Sequence, residues 1–132
     1  MIVVDSSVIV AIIRHESDAA DWIDVLDRSS RTFMSVVSYV ETSMVIAGRR
    51  KDADRDRIDG SLTALHVSVV PVTLKQGIIA FTAFLRFGKG RHSAGLNIAD
   101  CFTYALAKSR NLPLLFKGED FSKTDISPAW RP

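Results

Sequence analysis

Residues 1–13 read MIVVDSSVIVAII, and this stretch decides the fold. Ile2-Val3-Val4 is a short β-branched run that stops at Asp5, the pattern of a strand buried on both faces and hence of a parallel sheet. Residues 6–13 continue as helix despite their β-branched members, because Ser6 or Ser7 can cap the first turn. The stretch lacks a basic start and Asp5 interrupts it, so it does not read as a signal peptide.

Working outward, strand and helix patterns alternate. Residues 17–28 place Ala20, Ile23 and Leu26 on one helical face, with Ser17 as a candidate cap. Residues 32–35 predict a second strand. A helix follows from about Ser38 to Ala47, ended by Gly48. The charge-dense segment 51–66 carries Ile58, Leu62 and Leu65 on one face and predicts a solvated helix rather than a linker. Residues 67–72 predict a third strand, with Pro71 near its end. Thr73 opens a helix through about Phe87. Residues 88–97, with three glycines, predict the longest loop, and 98–110 the most regular helix. Residues 113–116 predict a fourth strand, and 124–126 a fifth, at the edge. This alternation predicts an α/β fold: a three-layer α/β/α sandwich around a parallel sheet of four to five strands, in a single domain spanning 1–132.

Composition sets the outer limits. The 132 residues are 47% hydrophobic and 24% charged, ordinary for a globular chain long enough to bury a core without staples. One cysteine, Cys101, excludes a disulfide framework and a Cys-rich zinc site, and it reads as a small packing residue. Histidines 15, 66 and 92 are too scattered for a His-only metal site. The net charge of +2 does not by itself mark a nucleic-acid binder. No apolar run reaches the ~18 residues of a membrane span. The expected location is therefore the cytoplasm, with no membrane partner.

In open parallel sheets ligands bind beyond the carboxyl ends of the strands. The reactive side chains falling there are acidic. Asp5 follows strand one, Glu41 lies early in the helix after strand two, Asp100 starts the helix after the glycine-rich loop, and Glu119 and Asp120 follow strand four. Carboxylates that converge repel one another unless a cation joins them, and hard oxygen donors favour Mg2+ or Mn2+. One or two such ions can activate water and stabilise a phosphoryl transition state. Each residue also has a plainer reading. Ser38-x-x-Glu41 and Asn97-x-x-Asp100 fit capping boxes, Asp5 fits a helix cap, and Glu119-Asp120 fits a polar turn. The set, rather than any member, favours a site. Lys89, Arg91 and His92 precede Asp100 and can contact phosphates.

Other chemistries lack their signatures. No Gly-x-Gly-x-x-Gly or phosphate loop follows strand one, and no Gly-x-Ser-x-Gly elbow is present. An Asp-x-Asp phosphatase would need an acid where Ser7 stands. A receiver domain would need an acceptor Asp after strand three, and Lys117 lacks the acidic partners of its receiver counterpart.

The stretches Ile2-Val-Val-Asp5-Ser6-Ser7, Ser38-x-x-Glu41, Gly90 to Ala107 and Leu114 to Ile126 together resemble a PIN-domain ribonuclease, and within that family a VapC-type toxin. The likeness covers about residues 2–126. It implies an endoribonuclease dependent on Mg2+ or Mn2+, belonging to a type II toxin–antitoxin pair. Its partners would be RNA as substrate, a VapB-like antitoxin that blocks the acidic pocket, a second copy in a homodimer, and a toxin–antitoxin hetero-oligomer. Carried over, Asp5, Glu41 and Asp100 match the first three acidic positions and Asp120 the fourth. These four are the expected catalytic and metal-binding residues, with Ser6, Asn97 and Glu119 in support. Ser93 stands where relatives often carry Pro. Whether Asp120, Glu119 or Asp125 completes the pocket stays open, with Asp120 favoured and Glu119 next. The alternatives are a non-catalytic PIN-like module that binds RNA or protein, and another metal-dependent enzyme acting on DNA or a phosphate ester.

Overall fold

The computed structural model describes residues 1–132. In chain order the elements are β1 (Ile2–Val4), α1 (Ser6–Ile13), α2 (Ala19–Arg28), β2 (Thr32–Ser35), α3 (Val36–Arg49), α4 (Arg55–Ala64), β3 (Val67–Val70), α5 (Leu74–Phe87), α6 (Ile98–Arg110) and β4 (Leu114–Leu115). A 3-10 turn at Phe121–Lys123 follows β4. The four strands pair in the order β3-β2-β1-β4, all parallel. All four therefore deliver their carboxyl ends to one edge, with β1 and Asp5 in the interior of the sheet.

The three layers follow from the two-residue period of the strands. Ile2, Val4, Met34 and Leu115 face one way and join Val8, Ile9, Trp22, Leu26, Ile58 and Leu62 from α1, α2 and α4. Val3, Phe33 and Leu114 face the other way and join Ala80, Phe87, Tyr104 and Leu106 from α5 and α6. Each fully buried aliphatic side chain contributes about 1.5–3 kcal/mol of burial free energy. No helix is long and apolar enough to cross a membrane.

Several boundaries differ from the sequence reading. α3 starts at Val36, capped by the Ser35 hydroxyl accepting from the Val37 amide at 3.2 Å, so Ser38 is inside the helix. It runs through Gly48 to Arg49, because Gly48 sits on an open face where it meets nothing and keeps helical geometry. α2 begins at Ala19 after Asp18, not Ser17. β3 ends at Val70, since Pro71 has no N–H to continue the ladder. The expected fifth strand at 124–126 does not form. Leu114 instead makes one isolated bridge to Pro128, with its amide donating to the Ser127 carbonyl and its carbonyl accepting from Ala129.

Candidate active site

Asp5 is the anchor. It ends β1, is only 4% exposed, and caps α1 by accepting the Ser7 amide on Oδ2 at 3.0 Å. Its Oδ1 accepts the Thr103 hydroxyl at 3.1 Å. That hydroxyl has spent its hydrogen, so the Ser38 hydroxyl donates to Thr103 at 2.8 Å. One buried chain of three side chains therefore ties the ends of β1, α3 and α6 together. Burial pushes the Asp5 carboxyl above its ordinary range, against these hydrogen bonds.

Glu41 is held by the Ser6 hydroxyl, which donates to its Oε1. The capping-box reading of Ser38 and Glu41 fails, because the α3 cap is Ser35 and the Glu41 carboxylate turns towards α1. Partial burial raises its pKa; the Ser6 bond opposes that rise and the Asp5 charge adds to it. Asp100 and Asn97 do form a capping box at the start of α6: the Asp100 amide donates to Asn97 Oδ1 at 2.8 Å and the Asn97 amide to Asp100 Oδ2 at 3.0 Å. The capping reading and the site reading of Asp100 are thus compatible, since the cap occupies one oxygen.

Electrostatics bring the four acids together. The Asp100 carboxyl is pushed from 3.8 up to about 7, first by burial and then by the charges of Asp5, Glu41 and Asp120; only its backbone bond to Asn97 opposes the shift. None of Asp5, Glu41 and Asp100 is in an ion pair. Asp120 is exposed and makes no side-chain capping bond to the turn it precedes. The donor set is all carboxylate oxygen, the chemistry that hard divalent ions take. No three His, Cys, Asp or Glu side chains are drawn tightly enough to hold an ion as they stand. Asp5 and Asp100 are pinned by backbone amides, whereas Glu41 is held by one hydroxyl, so the Glu41 carboxylate is the freest of the three to swing.

The other sequence candidates separate. Asp125 is taken out of the site: it accepts the Tyr104 hydroxyl at 2.7 Å and pairs with Lys108 at 3.2 Å and Arg86 at 3.7 Å. Glu119 is exposed and lines a neighbouring cavity together with Lys117 and Trp130. Lys89, Arg91 and His92 are exposed on a loop pinched by a Gly88–Leu96 bridge, with Gly90 and Gly95 in left-handed conformations at φ +84° and +61°. The Arg91 guanidinium lies 5.9 Å over the Phe84 ring, and His92 Nδ1 accepts the Ala94 amide at 3.0 Å. Cys101 is buried, its thiol pushed up to about 11 by burial and by Asp100, as suits a packing residue. Lys117 binds Glu16 at 2.7 Å and Asp18 at 3.0 Å, tethering the loop after β4 to the start of α2. The sequence reading missed Thr103 and the true role of Ser38. Thr103 lies three residues after Asp100, on the same helix face, and that spacing was the available signal.

A four-stranded parallel sheet flanked by helices, with acids at its strand ends, is an α/β architecture. The PIN domain family matches residues 2–127. The chain is 46% identical to a VapC ribonuclease of Mycolicibacterium smegmatis over 127 residues, 95% of this chain and 97% of that one. The structure superposes on VapC20 of Mycobacterium tuberculosis, a sarcin-ricin loop cleaving toxin, with a TM-score of 0.75, 17% identity and full coverage of both chains. It also matches a toxin–antitoxin complex from Klebsiella pneumoniae with a TM-score of 0.72, 12% identity and full coverage of both. The chain belongs to the PIN-domain family, in its VapC branch.

Proposed function

We propose that the protein is a divalent-metal-dependent endoribonuclease, the toxin of a type II toxin–antitoxin pair, acting in the cytoplasm as a single domain over 1–132. The observation that carries this reading is that the charges of Asp5, Glu41 and Asp120 all act on Asp100, while none of Asp5, Glu41 and Asp100 is in an ion pair. These four would hold Mg2+ or Mn2+. When bound, such an ion supplies Lewis-acid activation of water and neutralises charge at the scissile phosphate. Asp5 and Asp100 give fixed oxygens, because backbone amides set their rotamers. Ser6 holds Glu41 in reserve, Thr103 and Ser38 fix the second Asp5 oxygen, and Asn97 fixes Asp100. Lys89, Arg91 and His92 steady the RNA backbone, and single-stranded loops are the accessible targets.

The names of the relatives support a ribonuclease toxin, and the Klebsiella toxin–antitoxin complex is in keeping with an antitoxin as partner, for which we propose the VapB kind. A second copy of the chain fits the exposed apolar stripe of α5, where Leu74, Ile78, Phe81 and Leu85 recur at helical spacing. Purified protein free of antitoxin should cleave RNA when Mg2+ or Mn2+ is added and lose that cleavage in Asp100→Asn. Equal, metal-independent cleavage by both proteins would refute the assignment.

A further inference from the structure

A cavity of ≈ 370 Å³ is lined by the segment that leads into Asp120. Its walls include Trp22, Phe116, Lys117, Glu119 and Trp130, with Asp18 at one side. Two connections place it beside the carboxylates. Glu119 immediately precedes Asp120, and the Lys117 amide donates to the Ser7 hydroxyl at 3.0 Å, while the Ser7 amide holds Asp5. The cavity and the acids thus share the loop after β4 and the first turn of α1.

The lining selects a class of ligand. Phe116 and Trp130 are both partly exposed, and Trp130 stands edge-on to Trp22 with ring centroids 5.1 Å apart, which fixes its plane. The Trp22 indole N–H is buried without an acceptor in bonding geometry, although it lies close enough to Asp18 to help lower that acid's pKa. The Lys117 ammonium is already committed to Glu16 and Asp18. The other cation in the lining, exposed Arg131, makes no ion pair and is left for a phosphate, while the aromatic surface is left for the flat base of the same nucleotide. Stacking of a base on an aromatic ring is worth about 1–3 kcal/mol and tolerates any base. Selection then falls to Glu119, which is exposed and accepts but cannot donate when ionised. Guanine presents two parallel N–H donors to a carboxylate, cytosine and adenine one amino group, and uracil no amino group.

We propose that this cavity is a nucleobase subsite that reads one nucleotide of the bound RNA, stacking it on Trp130 and preferring guanine through Glu119. The proposal rests on the ribonuclease reading for its meaning, but its test does not use cleavage. The chain has two tryptophans, and both line the cavity, so tryptophan emission reports on this site alone. Full-length protein is titrated with GMP, AMP, CMP and UMP in chelator-containing buffer. GMP should quench saturably at a concentration about 5- to 100-fold below UMP, the range of one bidentate base contact. Glu119→Gln should erase most of that preference and keep the binding. Trp130→Ala, read through Trp22, should weaken every nucleotide about fivefold or more. Asp100→Asn should titrate like the wild type, which separates this subsite from the acids. Absence of saturable quenching would overturn the proposal, as would equal quenching by all four nucleotides, a preference for UMP, or a GMP preference untouched by Glu119→Gln. Circular dichroism of Trp130→Ala confirms its fold, and exposed Glu119 offers a variant with no buried contact to lose.

Discussion

Asp100 and Asp125 are both aspartates at the α6 end of the molecule, and they behave in opposite ways. Burial resists ionisation at Asp125 too, but Tyr104, Lys108 and Arg86 answer it, and the carboxyl ends below its usual range. Burial raises the Tyr104 hydroxyl to about 12, with help from Asp125, so it stays a proton donor. Asp100 has only acids for charged company and is pushed up to about 7. The difference teaches that a site is marked by what its acids lack. An acid answered by cations is part of the scaffold, whereas a set of acids left unanswered has been kept at a cost to stability for another purpose.

The largest expected break of this contrast is Asp100→Asn. RNA cleavage should fall at least about 100-fold, because one of the carboxylates proposed to hold the ion is neutralised. Its melting temperature at pH 8 should match or exceed the wild type, since the amide oxygen can still cap Asn97 while the repulsion is gone. Asp125→Asn should do the reverse: cleavage within about twofold of wild type, but stability lower by about 1 kcal/mol, as befits a half-exposed hydrogen-bonded acid. A cleavage loss in Asp125→Asn would erase the distinction.

Thr103→Val sharpens the same contrast one layer deeper. It removes the hydroxyl on Asp5 Oδ1 and strands Ser38 while keeping the shape. Calorimetry should show Mn2+ affinity about 10-fold weaker, the usual cost of losing a bond that orients a ligand.

A smaller effect should appear in the pH dependence. The Asp100 carboxyl is raised in the folded chain, so its contribution to stability is fully present below 3.8 and is lost as pH rises through about 7. Metal-free protein should therefore lose stability across that window, and Asp100→Asn should lose less. Binding a cation releases the Asp100 proton, so Mn2+ affinity should climb through pH 7. A flat profile for both proteins would contradict the repulsion.

The contrast also explains what was legible in the sequence. The β-branched runs closed by Asp5 and Pro71 revealed β1 and β3, and Thr73 revealed the start of α5, because local chemistry decides those elements. The candidate acids were legible because they fall at strand ends. What failed depended on distant partners. Ser38 and Glu41 fit a capping box locally, but the neighbouring Ser6 and Thr103 hydroxyls take them for other bonds. Asp125 reads like one more acid until Tyr104, Lys108 and Arg86, remote in sequence, close around it. Residues 124–126 had strand-like neighbours, but only Leu114 offers an edge there, and one bridge consumes it.

The central claim is that Asp5, Glu41, Asp100 and Asp120 are held in mutual repulsion that a divalent ion relieves. Thermal melting of wild type and Asp100→Asn at pH 8, with and without Mn2+, tests it directly. Binding to the folded state alone raises stability by about 2.7 kcal/mol at a hundredfold excess over Kd. The wild type should therefore melt several degrees higher with Mn2+, and Asp100→Asn should shift far less while starting at least as stable. A wild type that ignores Mn2+, or a variant that responds equally, would contradict the account.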